Sequence, residues 1–500
     1  VKPIIGGALV ALLMSRPRWG PLVAVAAFVT VWHRTLNFAP SERVLVRVAA
    51  AGQPRPSSQP PPPLPPPHLS PAASPPSPVA SPPSVAPWRL GRPVLVFSGG
   101  QEGYRVFRIP ALCRAAKALL AFAEARPSVE DNGSIDLVMR RSTDGGRTWS
   151  GLKKVVGDTQ LSSAAAGAVG GMTLGNPVPL FVPPSSRYPE GRLLLMFCSN
   201  AASVNEDAIR ADSTVAAGAG RRVWLIRSDD GGAAWSAPRE ITSQVKRPGW
   251  TWYATGPGGG FVLRNGSLVV PCTHAVHGSN ADHSHLLSSH DGGETWLVGA
   301  DGARGTNEAC VAELSDSSLL LNARDLSSIA GGGPTRLLQR SADGGASWSE
   351  PWRSPSLVQP ASHRGCHGSM VAAAGGKSLF FAAPNSAQRR ERLTLHRSDD
   401  GGRSWPRSLL LHAGPSAYSS LTLLPGGCLG VLFERGERRA SFFAEQIAFL
   451  RLPLAASAGV SVSPVGTLEE PNATSRWRSR GAIEARPPAR QAPSGDFAIS

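Results

Sequence analysis

Five copies of one eight-residue pattern, Ser-x-Asp-x-Gly-x-(Thr/Ser/Ala)-Trp, constrain the fold of this chain more than any other feature. The copies are Ser142 to Trp149, Ser228 to Trp235, Ser289 to Trp296, Ser341 to Trp348 and Ser398 to Trp405. Successive copies start 86, 61, 52 and 57 residues apart, a spacing typical of a repeated four-stranded unit whose loops vary in length. The repeat therefore predicts a β-propeller.

Each copy has the residues of a turn that satisfies its own backbone. An Asp followed by Gly-Gly can accept hydrogen bonds from nearby amides while the chain reverses, and the Trp can cover the neighbouring strand. We therefore predict structural turns and do not count their carboxylates as catalytic. These are Asp144, Asp230, Asp291, Asp343 and Asp400.

From Pro93 onward, short runs rich in Val, Leu and Phe alternate with Gly, Asp and Asn, which indicates strands separated by turns. No amphipathic stretch is long enough for a major helix. We predict an all-β, six-bladed propeller over residues 93–465, closed between a first strand near Val94 and a last strand near Phe449.

The segments on either side of the propeller differ in composition. Sixteen of the 37 residues 51–87 are Pro, so residues 51–92 are predicted to form an extended stalk or linker. Residues 466–500 contain Arg, Pro, Ala and Ser without periodicity and are predicted to be a disordered tail.

Residues 1–50 contain a signal or signal-anchor pattern. The apolar run 19–32 is 14 residues long and follows Arg16 and Arg18, which suits a signal sequence better than a spanning helix of roughly 20 residues. A second apolar patch at 4–14 leaves open an uncleaved anchor within residues 1–34. Either alternative predicts the secretory pathway, with a type II anchored or a secreted or lysosomal product.

The net charge of +16 is unevenly distributed. Residues 1–92 contain nine Lys and Arg against one Glu, so half of the excess lies outside the propeller. Without a basic stripe interleaved with exposed aromatics, nucleic-acid binding is disfavoured. A modest positive field over the domain favours a small anionic ligand.

Cysteines and histidines give no strong metal signal. The six cysteines have no metal-type spacing, and buried free thiols are the favoured interpretation, with a disulfide left open. Four histidines lie in an apparently loop-like stretch, which disfavours a zinc site. They are His274, His277, His283 and His285.

Three arginines stand in apolar strand contexts: Arg108, Arg324 and Arg390. A buried guanidinium requires an anion, so three that converge would form a carboxylate receptor. Taken singly, each is equally well interpreted as a structural ion-pair arginine.

At this point the chain resembles the exo-α-sialidases, or neuraminidases, over residues 93 to about 452. Phe-Arg-Ile-Pro-Ala-Leu precedes the repeats, and further motifs follow in the order found in vertebrate and bacterial members. They are Ala-Phe-Ala-Glu-Ala-Arg (121–126), Gly-Asn-Pro-Val-Pro-Leu (175–180), Leu-Val-Val-Pro (268–271), Leu-Asn-Ala-Arg (321–324), Gly-Cys-His-Gly-Ser (365–369) and Ser-Ala-Tyr-Ser-Ser-Leu (416–421).

The resemblance implies that Arg108, Arg324 and Arg390 bind the C1 carboxylate of sialic acid, and that Glu434 pairs with Arg108. An acid beside one of three clustered guanidiniums offsets part of their mutual repulsion. Arg390 is preferred to its neighbours Arg389 and Arg392 because it lies three residues before Leu-Thr-Leu.

It further implies that Tyr418 is the nucleophile and Glu308 its base. A phenol with an ordinary pKa near 10 needs such a base, and sialidases are a known exception to the scheme of two catalytic carboxylates. A core aromatic is the alternative interpretation of Tyr418.

Asp131 matches the general acid/base, with Glu130 as its competitor, and a solvated loop acid is the alternative for either. Arg126 and Glu206 match substrate-contacting positions. Glu124 is expected either to orient an arginine or to form a structural salt bridge.

Two departures from the family pattern leave acyl-group and linkage preference open. Cys272 to Ala275 replace tyrosines that many vertebrate relatives carry, and His367 stands where a glutamine is usual. The expected function is retaining hydrolysis of terminal sialic acids on glycoproteins, glycolipids or oligosaccharides, without a metal or cofactor. The alternatives are a non-catalytic sialic-acid-binding propeller and a trans-sialidase.

Overall fold

The computed structural model describes residues 91–157, 160–161, 171–211, 220–279, 281–326, 335–437 and 444–454. Within these ranges the chain forms 24 strands, two short α-helices, α1 (Glu206–Ala211) and α2 (Thr242–Val245), and two 3₁₀ turns, Ser362–Arg364 and Ala374–Gly376. The strands of the first half are β1 (Val94–Ser98), β2 (Val106–Ala115), β3 (Ala118–Arg126), β4 (Asp136–Ser142), β5 (Lys153–Val156), β6 (Met172–Val182), β7 (Arg192–Ala201), β8 (Arg222–Ser228), β9 (Arg239–Glu240), β10 (Trp250–Thr255), β11 (Phe261–Val262) and β12 (Leu268–Val276). Those of the second half are β13 (Ala281–Ser289), β14 (Leu297–Val298), β15 (Thr306–Glu313), β16 (Leu319–Asp325), β17 (Thr335–Ser341), β18 (Trp352–Val358), β19 (Ser369–Ala373), β20 (Ser378–Pro384), β21 (Glu391–Ser398), β22 (Arg407–Leu424), β23 (Cys428–Arg435) and β24 (Gln446–Pro453).

The segments that flank the propeller remain predictions. The signal or anchor region 1–50, nearly all of the stalk 51–92 and the tail 466–500 lie outside the described residues. Within the described ranges, neither helix is long and apolar enough to cross a membrane.

The strands form antiparallel sheets in the arrangement of a β-propeller, which confirms the all-β prediction. Three sheets have four strands each, in the orders β2-β3-β4-β5, β6-β7-β8-β9 and β15-β16-β17-β18. A fourth has the order β10-β12-β13-β14, with β11 also paired to β12. In the last sheet β1 pairs with β24, and Val94 lies opposite Phe449, so the first strand closes the last sheet as predicted.

The number of separate blades differs from the prediction of six. Four sheets are separate blades, and the fifth is a continuous seven-stranded sheet, β1-β24-β23-β22-β21-β20-β19. The reason is the 18-residue strand β22, whose first half pairs with β21 and whose second half, from Ser416, pairs with β23. Hydrogen bonding therefore passes from one unit to the next without a break.

The five repeated patterns form the predicted structural turns. In the first, Ser142 Oγ donates to Asp144 Oδ1 at 2.8 Å, and the amide of Thr148 donates to the same oxygen at 3.0 Å. The same Ser-to-Asp bond occurs in the other four copies. Gly146 has a φ of +90°, and a Cβ there would lie 2.0 Å from the Phe449 ring, so this position requires glycine.

The tryptophans of the turns pack the sheets against one another. Trp149 contacts Phe449 edge to face at 5.4 Å between ring centroids, and Trp235 contacts Phe122 edge to face at 6.0 Å. The apolar faces of adjacent sheets bury most of their Leu, Val and Phe side chains in these layers. All six cysteines are buried and unpaired, in agreement with the favoured interpretation.

One end of the inner strands collects the polar residues. Arg108 on β2, Glu308 on β15 and Tyr418 on β22 all lie near the start of their inward-facing segments. Because these segments surround the propeller axis, their beginnings share one face of the domain. Side chains more than 300 residues apart in sequence meet there, as between Arg108 and Glu434.

Candidate active site

A cavity of about 1100 Å³ opens at this face, and it is lined by eight of the nine predicted site residues. They are Arg108, Arg126, Asp131, Glu206, Glu308, Arg324, Arg390 and Tyr418. The ninth, Glu434, is completely buried behind Arg108. The structure therefore brings together every side chain that the resemblance selected.

Tyr418 and Glu308 form a hydrogen-bonded pair. The Tyr418 hydroxyl donates to Glu308 Oε1 at 2.7 Å, and both side chains are buried. Burial, and then the negative charge of Glu308, raise the pKa of Tyr418 well above its ordinary value. Burial acts to raise the pKa of Glu308, but the charge of Arg324, together with the nearby His367 and the hydrogen bonds from Tyr418 and Arg324, lowers that pKa on balance. In the resting state the proton therefore stays on the phenol.

Three arginines surround this pair. Arg324 Nη1 donates to Glu308 Oε2 at 2.7 Å and lies 3.4 Å from the Tyr418 oxygen. The guanidinium carbons of Arg108 and Arg390 lie 5.3 and 5.5 Å from the centre of the Tyr418 ring. Three cations around one phenol form a site that attracts an anion.

Glu434 links two of these groups. It accepts hydrogen bonds from Arg108 Nε at 2.8 Å and from the amides of Ile109 and Tyr418 at 2.9 and 3.1 Å. One buried carboxylate thus joins the strand of the first arginine to the strand of the tyrosine. It also supplies the negative charge that a buried guanidinium requires.

Asp131 lies on the loop after β3 and is held by arginines. Arg126 Nη1 donates to Asp131 Oδ1 at 2.6 Å, and Arg108 Nη1 lies 3.6 Å from the same oxygen. Although 79% of the side chain is exposed, it faces the cavity. Partial enclosure raises the pKa of Asp131, but the charges of Arg126 and Arg108 outweigh it and lower the pKa to about 2.

The competing acid Glu130 takes a different part. Its backbone carbonyl accepts from Arg126 Nη1 at 2.9 Å.

Arg126 also donates through Nε to Glu124 Oε2 at 2.9 Å, while the second oxygen of Glu124 accepts from the amide of Asn176 at 2.7 Å. The ion pair between Glu124 and Arg126 fits both interpretations of Glu124, as a group that orients an arginine and as a structural salt bridge.

Glu206 lies on α1 at the opposite wall of the cavity. It accepts from Arg210 Nε at 2.7 Å, and Arg210 Nη2 reaches Asp282 at the same distance. Burial raises the pKa of Glu206, more than Arg210 lowers it. This wall is therefore polar and contains charges of both signs.

The histidines that were weighed as zinc ligands are arranged differently from the expectation. His274 and His285 lie on the adjacent strands β12 and β13 rather than in a loop, with 3.0 Å between their Nδ1 atoms. His274 also stacks on Trp250 with 3.5 Å between ring centroids. No group of three or more His, Cys, Asp or Glu side chains in the described part of the chain is placed to hold a metal ion.

Comparison with known proteins shows which family this chain resembles. A family model described as a BNR repeat-like domain matches residues 117–431. A sialidase of Bacteroides fragilis (strain YCH46) is 29% identical over 380 residues, covering 72% of this chain and 65% of the relative. A sialidase of Micromonospora viridifaciens is 30% identical over 423 residues, covering 79% of this chain and 62% of the relative.

The chain belongs to the sialidase family. It spans 65% and 62% of the length of those two relatives. Among solved structures, the Hadza microbial sialidase Hz136 is 29% identical with a TM-score of 0.61, covering 72% of this chain and 68% of the other. An intramolecular trans-sialidase from Ruminococcus gnavus is 18% identical with a TM-score of 0.60, covering 74% and 99%, and at that identity it shares the fold.

The sequence analysis did not predict some residues that line the cavity. Arg221 stacks over Trp252 at 4.3 Å, and Asn176 accepts from its Nη2 at 2.6 Å. Asn176 has a φ of +58°, and its position in Gly-Asn-Pro was a signal that the motif already contained. Arg221 has no local signal, since only the fold brings it to the cavity.

Proposed function

We propose that this member of the sialidase family is a retaining exo-α-sialidase that hydrolyses terminal sialic acids of glycoproteins, glycolipids or oligosaccharides. The observation that carries the proposal is the 2.7 Å hydrogen bond from Tyr418 to Glu308 in the centre of three arginines. A carboxylate-bearing sugar is the glycoside that such a site would select. The sialidases of bacteria and vertebrates among its relatives support the same substrate class.

Binding begins with the sugar's C1 carboxylate. Arg108, Arg324 and Arg390 offer it charged hydrogen bonds worth roughly 1.5 to 3 kcal/mol each. These arginines also hold the anomeric carbon near the Tyr418 oxygen. A carboxylate nucleophile would be repelled by the bound carboxylate, whereas a neutral phenol is not.

In the first chemical step the Tyr418 oxygen forms a bond to the anomeric carbon and Glu308 takes the phenol proton. The bond from that carbon to the leaving oxygen breaks, and Asp131 donates a proton to this oxygen. In the second step Asp131 takes a proton from water, and the water oxygen displaces Tyr418. Glu308 then returns the proton to the phenol, so two displacements retain the configuration.

Asp131 must carry a proton in the first step although its pKa in the free protein is about 2. A bound carboxylate would neutralise part of the field of Arg108 and place a like charge near Asp131. Both effects raise the pKa of Asp131. Substrate binding itself therefore prepares the acid.

We also infer that the seven-stranded sheet comprises two blade equivalents joined within β22. The pairing changes from β21 to β23 at residues 415–416, and each half would then contain four strands. Together with the four separate blades this count makes six. If β22 is a continuous shared strand, limited proteolysis of the folded protein should not cut between the two halves. Cleavage within 413–418 would contradict a continuous shared strand.

Replacement of Tyr418 by Phe tests the function directly. We expect the turnover of a fluorogenic aryl sialoside to fall by several orders of magnitude, while the affinity for free sialic acid stays within a few-fold, because the arginines remain. Tyr188→Phe, on a tyrosine outside the cavity, is the control. NMR of the first-formed product should show the α-anomer.

Two other outcomes would point to the alternatives. A wild-type protein that binds sialic acid but does not turn over any sialoside would be a binding module, and the β-anomer as first product would exclude retention. Sialyl transfer to added lactose in preference to water would identify a trans-sialidase.

A further inference from the structure

Four consecutive backbone carbonyls, those of residues 363–366, accept hydrogen bonds from three different arginines. Arg324 donates to the carbonyl of His363 and, through Nε at 2.8 Å, to that of Arg364. Arg390 donates to Gly365 O through Nη2 at 3.0 Å. Arg336 donates to Cys366 O at 2.7 Å. Residues 363–367, here named the carbonyl segment, thus contact two of the three cavity arginines.

The backbone of the carbonyl segment has an uncommon conformation. His363, Arg364 and Gly365 have φ values of +55°, +54° and +88°. Positive φ is uncommon for residues other than glycine, and here two such residues precede Gly365, so the conformation persists only where the surroundings hold it. Here the arginines that donate to the carbonyls supply those surroundings.

Arg336 holds the end of the segment from within the core. It is completely buried, and it forms no ion pair with any carboxylate of the described ranges. Its remaining donors go to Asn322, through Nε to Oδ1 at 2.8 Å and through Nη2 to the carbonyl at 3.0 Å. Asn322 lies two residues before Arg324 on β16, so Arg336 joins the strand of Arg324 to the carbonyl segment.

A buried guanidinium without a carboxylate is costly, and burial lowers the pKa of Arg336 to about 10. An apolar side chain would fill the same core position without that cost. We therefore attribute the presence of a buried arginine at this position to its hydrogen bonds with Cys366 and Asn322.

The last residue of the segment touches the phenol. The His367 ring stacks on the Tyr418 ring at 5.4 Å between centroids and 18° between planes. A Cβ on Gly258 would lie 3.1 Å from Cε1 of His367, so the imidazole is also closely packed against Gly258. The same five residues thus contact two carboxylate-binding arginines and the tyrosine.

We infer that the carbonyl segment sets the positions of Arg324 and Arg390 relative to Tyr418, and that Gly365 and Arg336 are positioning residues for carboxylate recognition. This inference rests on the proposed sialidase function. It assigns to neither residue a contact with the substrate.

Gly365→Ala is the first test. A Cβ at Gly365 would lie 3.1 Å from Arg324 Cγ and from Gln359 Oε1, which pushes directly on the arginine. Gly426→Ala is the matched control, because Gly426 also has a positive φ, +73°, but a Cβ there meets nothing within 4 Å. Both substitutions place a Cβ on a residue with positive φ, and only the first brings that Cβ against Arg324.

The readout is the discrimination between N-acetylneuraminic acid and its C1 methyl ester as inhibitors of aryl sialoside turnover. We expect Gly365→Ala to lose on the order of 10- to 100-fold in kcat/KM, mainly through KM, and to lose most of this discrimination. Gly426→Ala should keep the wild-type kcat/KM and the wild-type discrimination. A merely structural defect would weaken both inhibitors equally and lower the active fraction, and that result would overturn the inference.

Arg336→Lys and Arg336→Met form the second test, which remains informative if Gly365→Ala does not fold. Lys keeps a charge but cannot reach Asn322 and Cys366 together. We therefore expect Arg336→Lys to keep part of the discrimination between the acid and its methyl ester, and Arg336→Met to keep less. Wild-type discrimination in a folded Arg336→Met protein would overturn the inference. A wild-type protein without sialosidase activity would instead overturn the proposed function.

Discussion

Glu308 accepts two hydrogen bonds of 2.7 Å, one on each carboxylate oxygen, from Tyr418 and from Arg324. The two donors have different roles. Arg324 keeps the carboxylate ionised, and the ionised carboxylate can take the phenol proton. The same arginine is available to a bound substrate carboxylate, so recognition and activation of the nucleophile share one side chain.

Glu308→Gln should therefore lower kcat for an aryl sialoside by roughly 10²- to 10⁴-fold, because an amide cannot take the phenol proton. Binding of free sialic acid should change little. Glu313→Gln, at the far end of the same strand, should behave as the wild type. Retention of more than a tenth of kcat in Glu308→Gln would show that another group is the base.

Asp131→Asn should have an effect that depends on the leaving group. Natural sialosides have a poor leaving group and need the acid, so we expect a loss of roughly 10²- to 10⁴-fold for sialyllactose. An aryl sialoside leaves without full protonation and should lose much less in the first step. Glu130→Gln is the matched control, and a larger effect there than in Asp131→Asn would reverse the assignment.

Glu434→Ala should destabilise the protein by about 3 to 5 kcal/mol, because it removes the buried carboxylate that pairs with the buried Arg108. Urea unfolding monitored by tryptophan fluorescence measures this. Glu350→Ala, on an exposed acid, should change the free energy of unfolding by less than about 0.5 kcal/mol. Equal effects of the two substitutions would refute the role of Glu434.

Stability should fall as the pH decreases from about 6.5. Burial lowers the pKa of His274 to about 2, of His285 to about 3, and of His367 and His396 to about 4. Below their ordinary pKa of 6.5 these histidines bind protons in the unfolded chain but not in the folded one. Each then removes up to roughly 1.4 kcal/mol per pH unit until its folded-state pKa is reached.

Urea midpoints at pH 7, 6 and 5 test this dependence. For His396, burial alone accounts for the lowered pKa, so His396→Phe should reduce the slope by about one proton without affecting the cavity. A midpoint that is constant or rises between pH 7 and 5 would contradict the prediction. Asp131, with its lowered pKa, adds a loss of stability only at more acid pH.

Local features could be read from the sequence because their partners are local. The turn around Asp144 satisfies itself within eight residues, and its spacing was enough to predict a propeller and to exclude these acids from catalysis. The strand that closes the ring, near Val94, was also predictable from its pattern. The separate-blade count was not, because a continuous β22 depends on pairing on both sides.

The roles of the site residues were assigned by resemblance to a family, because their local sequence context alone does not define those roles. An arginine such as Arg324 in an apolar strand predicts only that an anion lies nearby, and it does not say which one. The pairing of Tyr418 with Glu308, 110 residues away, follows from no local rule. Arg336 had no sequence signal, and the motif at 365–369 did not reveal the contacts that the carbonyl segment makes with the arginines.

By itself, the sequence determined the repeat, the turns and the class of fold, since hydrogen bonds and packing within a few residues suffice for them. The tertiary structure alone decided where three guanidiniums, a phenol and their carboxylates meet. The physical reason is that a propeller brings distant inner strands to one axis. A cluster of like charges there is stable only when Glu434, Glu308 and the carbonyls of residues 363–366 surround it.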